Sequence, residues 1–275
     1  MQSVIIVIFG SNTLKYYFPR ILFLALAIII FSGCSSTKIG TPETWNAARL
    51  YDEANAAYSR ENYDKAIEYY QELEKRFPFG PFAQRAQLDI GYVYLDNEEP
   101  EAALSAADRF IRLNPRHEKV DRAYYLRGLA TFDDRSGKLG PIRFFNPATR
   151  DPRTLQESFQ YFSELTSKFP DSEYTPDAKQ RMVYLRNVLA EHELHVARFY
   201  IKRGAYVAAI NRAKHVVENM QESTATAEAL SILVKTYKYL GMHYLASDSL
   251  KVLQLNYPEH PLSKATGETI DTLDL

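Results

Sequence analysis

Cysteine is nearly absent. Cys34 is the only one among 275 residues, so no disulfide can form within the chain. An excess of charge is also missing: 33 basic against 34 acidic residues give a net charge of −1. The basic residues are dispersed among acids, which removes the electrostatic footprint of a nucleic-acid binder. Glycine is scarce at 11 residues, and no glycine-rich phosphate loop occurs. No nucleophile–base pair stands out. His192-Glu193-Leu194-His195 has histidines three apart, whereas the zinc-protease pattern needs four and a further ligand. One histidine packing and one facing water is the plainer reading. Asp133, Asp134 and Asp151 lack the alternating oxygen pattern of a calcium loop and read as solvated or capping residues. Catalysis, metals and cofactors therefore have no footing in the sequence. Long apolar runs are missing too. The longest, Ile21 to Phe31, has eleven residues, short of the roughly 20 that a spanning helix needs.

That short run has a role of its own. Lys15 and Arg20 precede it, and Phe31-Ser32-Gly33-Cys34-Ser35 closes it. A positive segment, an apolar segment and small residues are the parts of a secretory signal. Ending on the sole cysteine, the run resembles a lipobox. The expectation is a signal peptide over 1–33, a lipid on Cys34 and a tether over 34–41. Several acyl chains hold stably where one does not. Ser35 rather than aspartate after the cysteine points, by analogy with bacterial lipoproteins, to the outer membrane. Removal of Lys15 and Arg20 would leave the remainder at −3.

The remainder repeats. Leu50, Ala54 and Ala57 are spaced by four and three, as are Ala66, Tyr70 and Leu73, before Phe77-Pro78. Those spacings place small and apolar side chains on one face of each of two short helices. With Ala66 as the second-helix position, counterparts are Ala103, Ser158, Ala209 and Ala246, at steps of 37, 55, 51 and 37 residues. An apolar residue follows each by seven: Leu73, Phe110, Leu165, Val216 and Leu253. The partner small residues on the first helices are Ala54, Gly91, Gly128, Ala197 and, less well, Val234. A proline closes every unit except the fourth, which has Met220-Gln221. One such hairpin cannot bury its apolar face alone, so copies must stack. The pattern resembles the tetratricopeptide repeat, of about 34 residues. The expected fold is all-α, a tetratricopeptide-repeat superhelical solenoid of five helix hairpins.

Repeats one and two are expected over 42–118 and repeats three to five over 119–262. Pro42 and Thr44 are expected to open the first helix, and a polar, frayed tail to follow from Leu262 through 263–275. The two longer steps exceed 37 by eighteen and fourteen residues. The first excess is a loop over 133–150, rich in glycine and proline and holding Phe144-Phe145, which either folds back or meets a partner. The second lengthens a helix from about Thr175 to Lys202, with Ser172 and Asp177 as starting caps and Gly204 as its end. First helices of such repeats line an inner groove. Outward positions there are Tyr51, Asn55 and Tyr58, then Arg85, Leu88 and Tyr92, then Tyr125, Leu129 and Phe132. Tyrosines with an arginine suit an extended peptide with aromatic side chains. The alternative is that half of these rings pack between adjacent helices.

Several stretches carry a more specific likeness. They are Arg76-Phe77-Pro78-Phe79-Gly80-Pro81, the run Asp108 to Pro115, Leu126-Arg127-Gly128-Leu129, Arg150-Asp151-Pro152, and the long helix from Gln180 through Glu193. Arg203-Gly204-Ala205-Tyr206-Val207-Ala208-Ala209 with Asn211-Arg212 completes the set. Together they resemble the BamD family, lipoproteins of the outer-membrane β-barrel assembly machinery. The resemblance implies a non-catalytic adaptor, anchored in the outer membrane and facing the periplasm. It implies that the carboxy-terminal repeats grip the last periplasmic domain of a BamA-like barrel-forming subunit, with accessory lipoproteins as further partners. Arg212 matches the family arginine of that contact, with Asn211 and Arg203 beside it; otherwise Arg212 is a plain surface arginine. The amino-terminal repeats would receive unfolded outer-membrane proteins. The rival is an envelope repeat lipoprotein serving a secretin or pilus system.

Overall fold

The computed structural model describes residues 42–132 and 152–264. Residues 1–46 and 47–275 form two units. Of the first, Pro42–Thr44 is a short 3-10 turn, with the Trp45 N–H donating to the Pro42 carbonyl at 3.2 Å. Pro42 and Thr44 therefore do not open an α-helix, as the sequence led us to expect; the first one begins at Ala47.

The second unit holds ten α-helices among the described residues. They are α1 (Ala47–Ser59), α2 (Tyr63–Arg76), α3 (Pro81–Asp96), α4 (Pro100–Leu113), α5 (Val120–Thr131), α6 (Arg153–Lys168), α7 (Thr175–Lys202), α8 (Tyr206–Asn219), α9 (Thr226–Tyr239) and α10 (His243–Asn256). Each helix packs chiefly on its neighbours in the chain, and α1 with α3, α3 with α5 and α7 with α9 also touch. That is the quasi-one-dimensional contact pattern of stacked hairpins.

The repeat register lies in the core. Ala66, Ala103, Ser158 and Ala209 are fully buried, as are Leu73, Phe110, Leu165, Val216 and Leu253. Ser158 replaces an alanine and brings a hydroxyl inside. It donates to the Gly128 carbonyl at 3.0 Å, so the polar group is not left unmet. Gly128 itself is small for a reason: a Cβ there would stand 2.3 Å from the Phe162 ring.

The turns inside four hairpins share one construction. Glu61, Glu98, Gly204 and Gly241 take φ of 59°, 62°, 72° and 74°. The next residue's N–H bonds back to Ala57, Tyr94, Tyr200 and Tyr237 carbonyls at 2.8–3.0 Å. This is the Schellman end, in which a left-handed residue turns the chain and satisfies last-turn carbonyls.

The second helix of every unit ends alike, on Phe77, Asn114, Phe169, Met220 or Tyr257, with φ between −129° and −132°. Met220 does this without a following proline. Thr226 Oγ1 lies 3.2 and 3.1 Å from the Met220 and Gln221 carbonyls, as Thr175 Oγ1 and Ser263 Oγ bond the Phe169 and Tyr257 carbonyls where a proline does follow.

Two expectations are corrected. Leu262 is not part of a frayed tail: it is buried against Leu230, Val234 and Leu253 within the short turn Pro261–Lys264 and closes the apolar face of the last hairpin. Ser172 is not the N-cap of α7, which is Tyr174. The Ser172 hydroxyl bonds Asp121 at 2.6 Å and accepts the Tyr174 N–H at 3.3 Å.

Candidate functional site: a groove on the first helices and two arginines on the last repeats

The groove residues sit on α1, α3 and α5, and most are tied to the next repeat. The Tyr51 hydroxyl donates to Asp89 Oδ2 at 2.7 Å. Tyr58 makes the same bond to Asp96, again one repeat on. Tyr125 donates to Asp177 Oδ2 at 2.5 Å, and Tyr92 to the Arg122 carbonyl at 3.0 Å. Asn55 spends both polar atoms internally: Oδ1 accepts from the buried Tyr70 hydroxyl at 2.7 Å, and Nδ2 donates to the Tyr51 carbonyl at 3.0 Å. The tyrosine hydroxyls thus rivet consecutive repeats. Leu88 is corrected from groove to core, at 3% exposed beside Phe110 and Val120. Phe132 lies edge-on to Phe162 and Tyr184.

Electrostatics follow from these bonds. Burial, then the bond to Asp89, pushes the Tyr51 phenol up to about 12. Burial, then the bond to Asp177, does the same for Tyr125, also to about 12. Burial alone would raise Asp177, but hydrogen bonds from Tyr125 and Arg181 outweigh it and hold the carboxyl below its ordinary range. Arg122 donates to Asp89 Oδ1 at 2.8 Å and lies 4.3 Å over the Tyr92 ring. Both Asp89 oxygens are therefore engaged. Arg85 is exposed and has no ion-pair partner among the described residues. It lines a cleft of about 320 Å³ with Tyr51, Asp89, His117, Lys119 and Arg122. The sequence reading found Tyr51 and Arg85 but missed Asp89, Lys119 and Arg122. Asp89 is visible in retrospect, one helical turn from Arg85 on the same face.

On the last repeats, Arg203, Asn211 and Arg212 are all exposed. Arg203 sits 4.7 Å over the Phe199 ring. Arg212 is not a free surface arginine: its Nη1 lies 3.1 Å from Glu193 Oε2, and the Glu193 side chain is only 10% exposed. Near these residues Phe199 and Val207 also face solvent.

The family model described as YfiO, outer membrane lipoprotein, matches residues 44–261. The chain belongs to the BamD family. Similar relatives include "Outer membrane protein assembly factor BamD" of Neisseria meningitidis serogroup B, 40% identical over 90% of this chain and 93% of that protein. The Vibrio cholerae protein of the same name is 34% identical over 84% of this chain and 95% of its own length. Among solved structures, a tetratricopeptide repeat protein from Parabacteroides merdae covers 95% of each chain at 14% identity and a TM-score of 0.35.

In this BamD-family chain no helix among the described residues is long and apolar enough to cross a membrane. Among those residues no group of three His, Cys, Asp or Glu is placed to hold a metal. His195 is exposed and His192 half-buried on α7. Cys34, the tether over 34–41, the loop over 133–150 with Phe144 and Phe145, Asp133, Asp134 and Asp151 lie outside the described residues.

Proposed function

We propose that this outer-membrane-associated chain is a non-catalytic adaptor that brings unfolded outer-membrane proteins to the machinery inserting them. What supports this most directly is the 40% identity, over nine-tenths of the chain, to a curated outer-membrane protein assembly factor. A lipid on Cys34 would hold it to the membrane, facing the periplasm. The groove of repeats one and two, with Tyr51, Tyr58, Arg85 and Tyr92, would take the extended client, and Tyr125 would continue it into repeat three. Repeats three to five would hold the barrel-forming subunit through Arg203, Asn211 and Arg212, with accessory lipoproteins alongside. Stacked hairpins suit this work because each repeat offers a similar surface to successive segments of an extended chain.

Arg203 is the cleaner probe of the partner face, since its guanidinium rests on Phe199 and leaves no buried carboxylate behind when removed. Arg203→Glu, on a tagged chain, should reduce recovery of the barrel subunit from solubilised outer membrane without changing the melting temperature. Undiminished recovery would remove Arg203 from that face.

A further inference from the structure

We propose that the first two connectors between repeats rest on the phospholipid surface, with Phe79 and Leu113 entering the boundary between headgroups and acyl chains. This goes beyond the anchor at Cys34, on which it rests, by naming the end of the stacked hairpins that turns to the membrane.

The two connectors are residues 77–80, between α2 and α3, and 114–119, between α4 and α5. They lie side by side. Asn114 accepts from Gln84 Nε2 at 3.3 Å and donates to Gln87 Oε1 at 3.0 Å, which sets the second connector against the first turns of α3. α1 runs in the same direction as α3, since Tyr51 bonds Asp89 and Tyr58 bonds Asp96 at one separation of 38 residues. The start of α1 is therefore at this end too, and through it the chain runs back to Cys34. Ala47 follows Cys34 by thirteen residues. Extended, those span at most about 45 Å, so this end stays within reach of the surface that the lipid enters.

Apolar side chains point outward here. Phe79 is 90% exposed and Leu113 58%. Pro78 and Pro81 bracket Phe79 and fix two of the backbone angles around it. Over residues 75–81 and 112–119 the exposed charges are Lys75, Arg112, Arg116 and Lys119, against Glu118 alone. Arg112, Arg116 and Lys119 have no ion-pair partner among the described residues. The next connectors differ. Over 169–174 and 220–225 the exposed charges are Asp171, Glu173 and Glu222, and no large apolar side chain is exposed. An outward ring among unpaired cations suits an anionic lipid surface, which takes the ring at headgroup depth and the cations at its phosphates. A protein surface could cover the apolar pair as well. What favours lipid is the covalent route to the anchor from the same end.

The test uses the lipidated full chain on vesicles of phosphatidylcholine and phosphatidylglycerol, with bromine on the acyl chains to quench tryptophan. Trp45, the only tryptophan, is buried and sets the background. Phe79→Trp and Leu113→Trp should each add fluorescence that shifts to the blue and is quenched by the brominated lipid. Met242→Trp, in the turn of the last hairpin at the opposite end, should add fluorescence that stays unquenched. Arg112→Gln with Arg116→Gln, in the Leu113→Trp chain, should release the quenching, as should high salt. Equal quenching at 79, 113 and 242 overturns the proposal, because a tether alone would give it. No quenching at 79 and 113 in a chain that floats with the vesicles overturns it and leaves the anchor standing. Quenching that neither the arginine substitutions nor salt alters overturns the assignment to an anionic surface. A chain that does not float overturns the anchor, and this contact with it.

Discussion

Arg212 and Glu193 form an ion pair across the fourth hairpin, with the arginine half in water and the glutamate almost wholly inside. Nη1 of α8 meets Oε2 of α7 at 3.1 Å. The pair is asymmetric in consequence. Taking away the arginine strands a buried carboxylate, whereas taking away the glutamate leaves an arginine that water can solvate. Arg212→Ala should therefore lower stability by about 1–3 kcal/mol, and Glu193→Gln by less. Arg212→Glu should cost more than Arg212→Ala, because it adds like charge. Urea midpoints of the three variants check this order. Loss of partner binding in Arg212→Glu must be read beside that loss of stability.

The left-handed turns make a second prediction. Glu61 and Glu98 occupy the position that Gly204 and Gly241 fill in later repeats. A side chain there costs roughly 1 kcal/mol that glycine avoids. Glu61→Gly and Glu98→Gly should each stabilise the fold by about 0.5–1 kcal/mol, after allowing for glycine's freer unfolded chain. Thermal melting of the single and double variants measures it, and the two effects should add, since the turns lie in different repeats.

Gly128 is the reverse case. Its Cβ position lies 2.3–2.7 Å from three atoms of the Phe162 ring, which is itself fully buried. Gly128→Ala should destabilise by about 1–3 kcal/mol despite alanine's better helix propensity. Gly128→Ala combined with Phe162→Leu should recover part of the loss, as unfolding midpoints would show.

The interlocking tyrosines make a prediction in alkali. Tyr51 and Tyr125 lose their protons at about 12 in the folded chain against an ordinary value of 10.0. The folded state thus keeps protons that the unfolded state gives up between those values. Their stabilising contribution is complete below pH 10 and is lost as pH rises through about 12. Melting temperature should fall across that window. Tyr51→Phe with Tyr125→Phe should flatten the fall, and phenolate absorbance should show two late-titrating tyrosines fewer.

Much of the fold was legible in the sequence because the repeat fixes burial. A small residue at 66, 103, 158, 209 and 246, and an apolar one seven later, sit at helix contacts in all five units. The turns of hairpins one and two were less legible, since glutamate does not announce a left-handed residue as Gly204 and Gly241 do. The groove was half legible. Helical spacing put Tyr51, Tyr58 and Tyr125 on one face, but their hydroxyl partners Asp89, Asp96 and Asp177 lie one repeat away in the chain. Spacing within a helix carries no information about which residue of the next repeat comes opposite. Leu88 was misassigned for a related reason: the contact with α4 and α5 that buries it is tertiary.

The measurement bearing most directly on the adaptor account is mass spectrometry of what co-purifies with the tagged full chain from detergent-solubilised outer membrane. The account predicts a barrel protein carrying tandem periplasmic domains, in near-constant proportion to the chain. A secretin or pilus component in that place, with no such barrel protein, would contradict it.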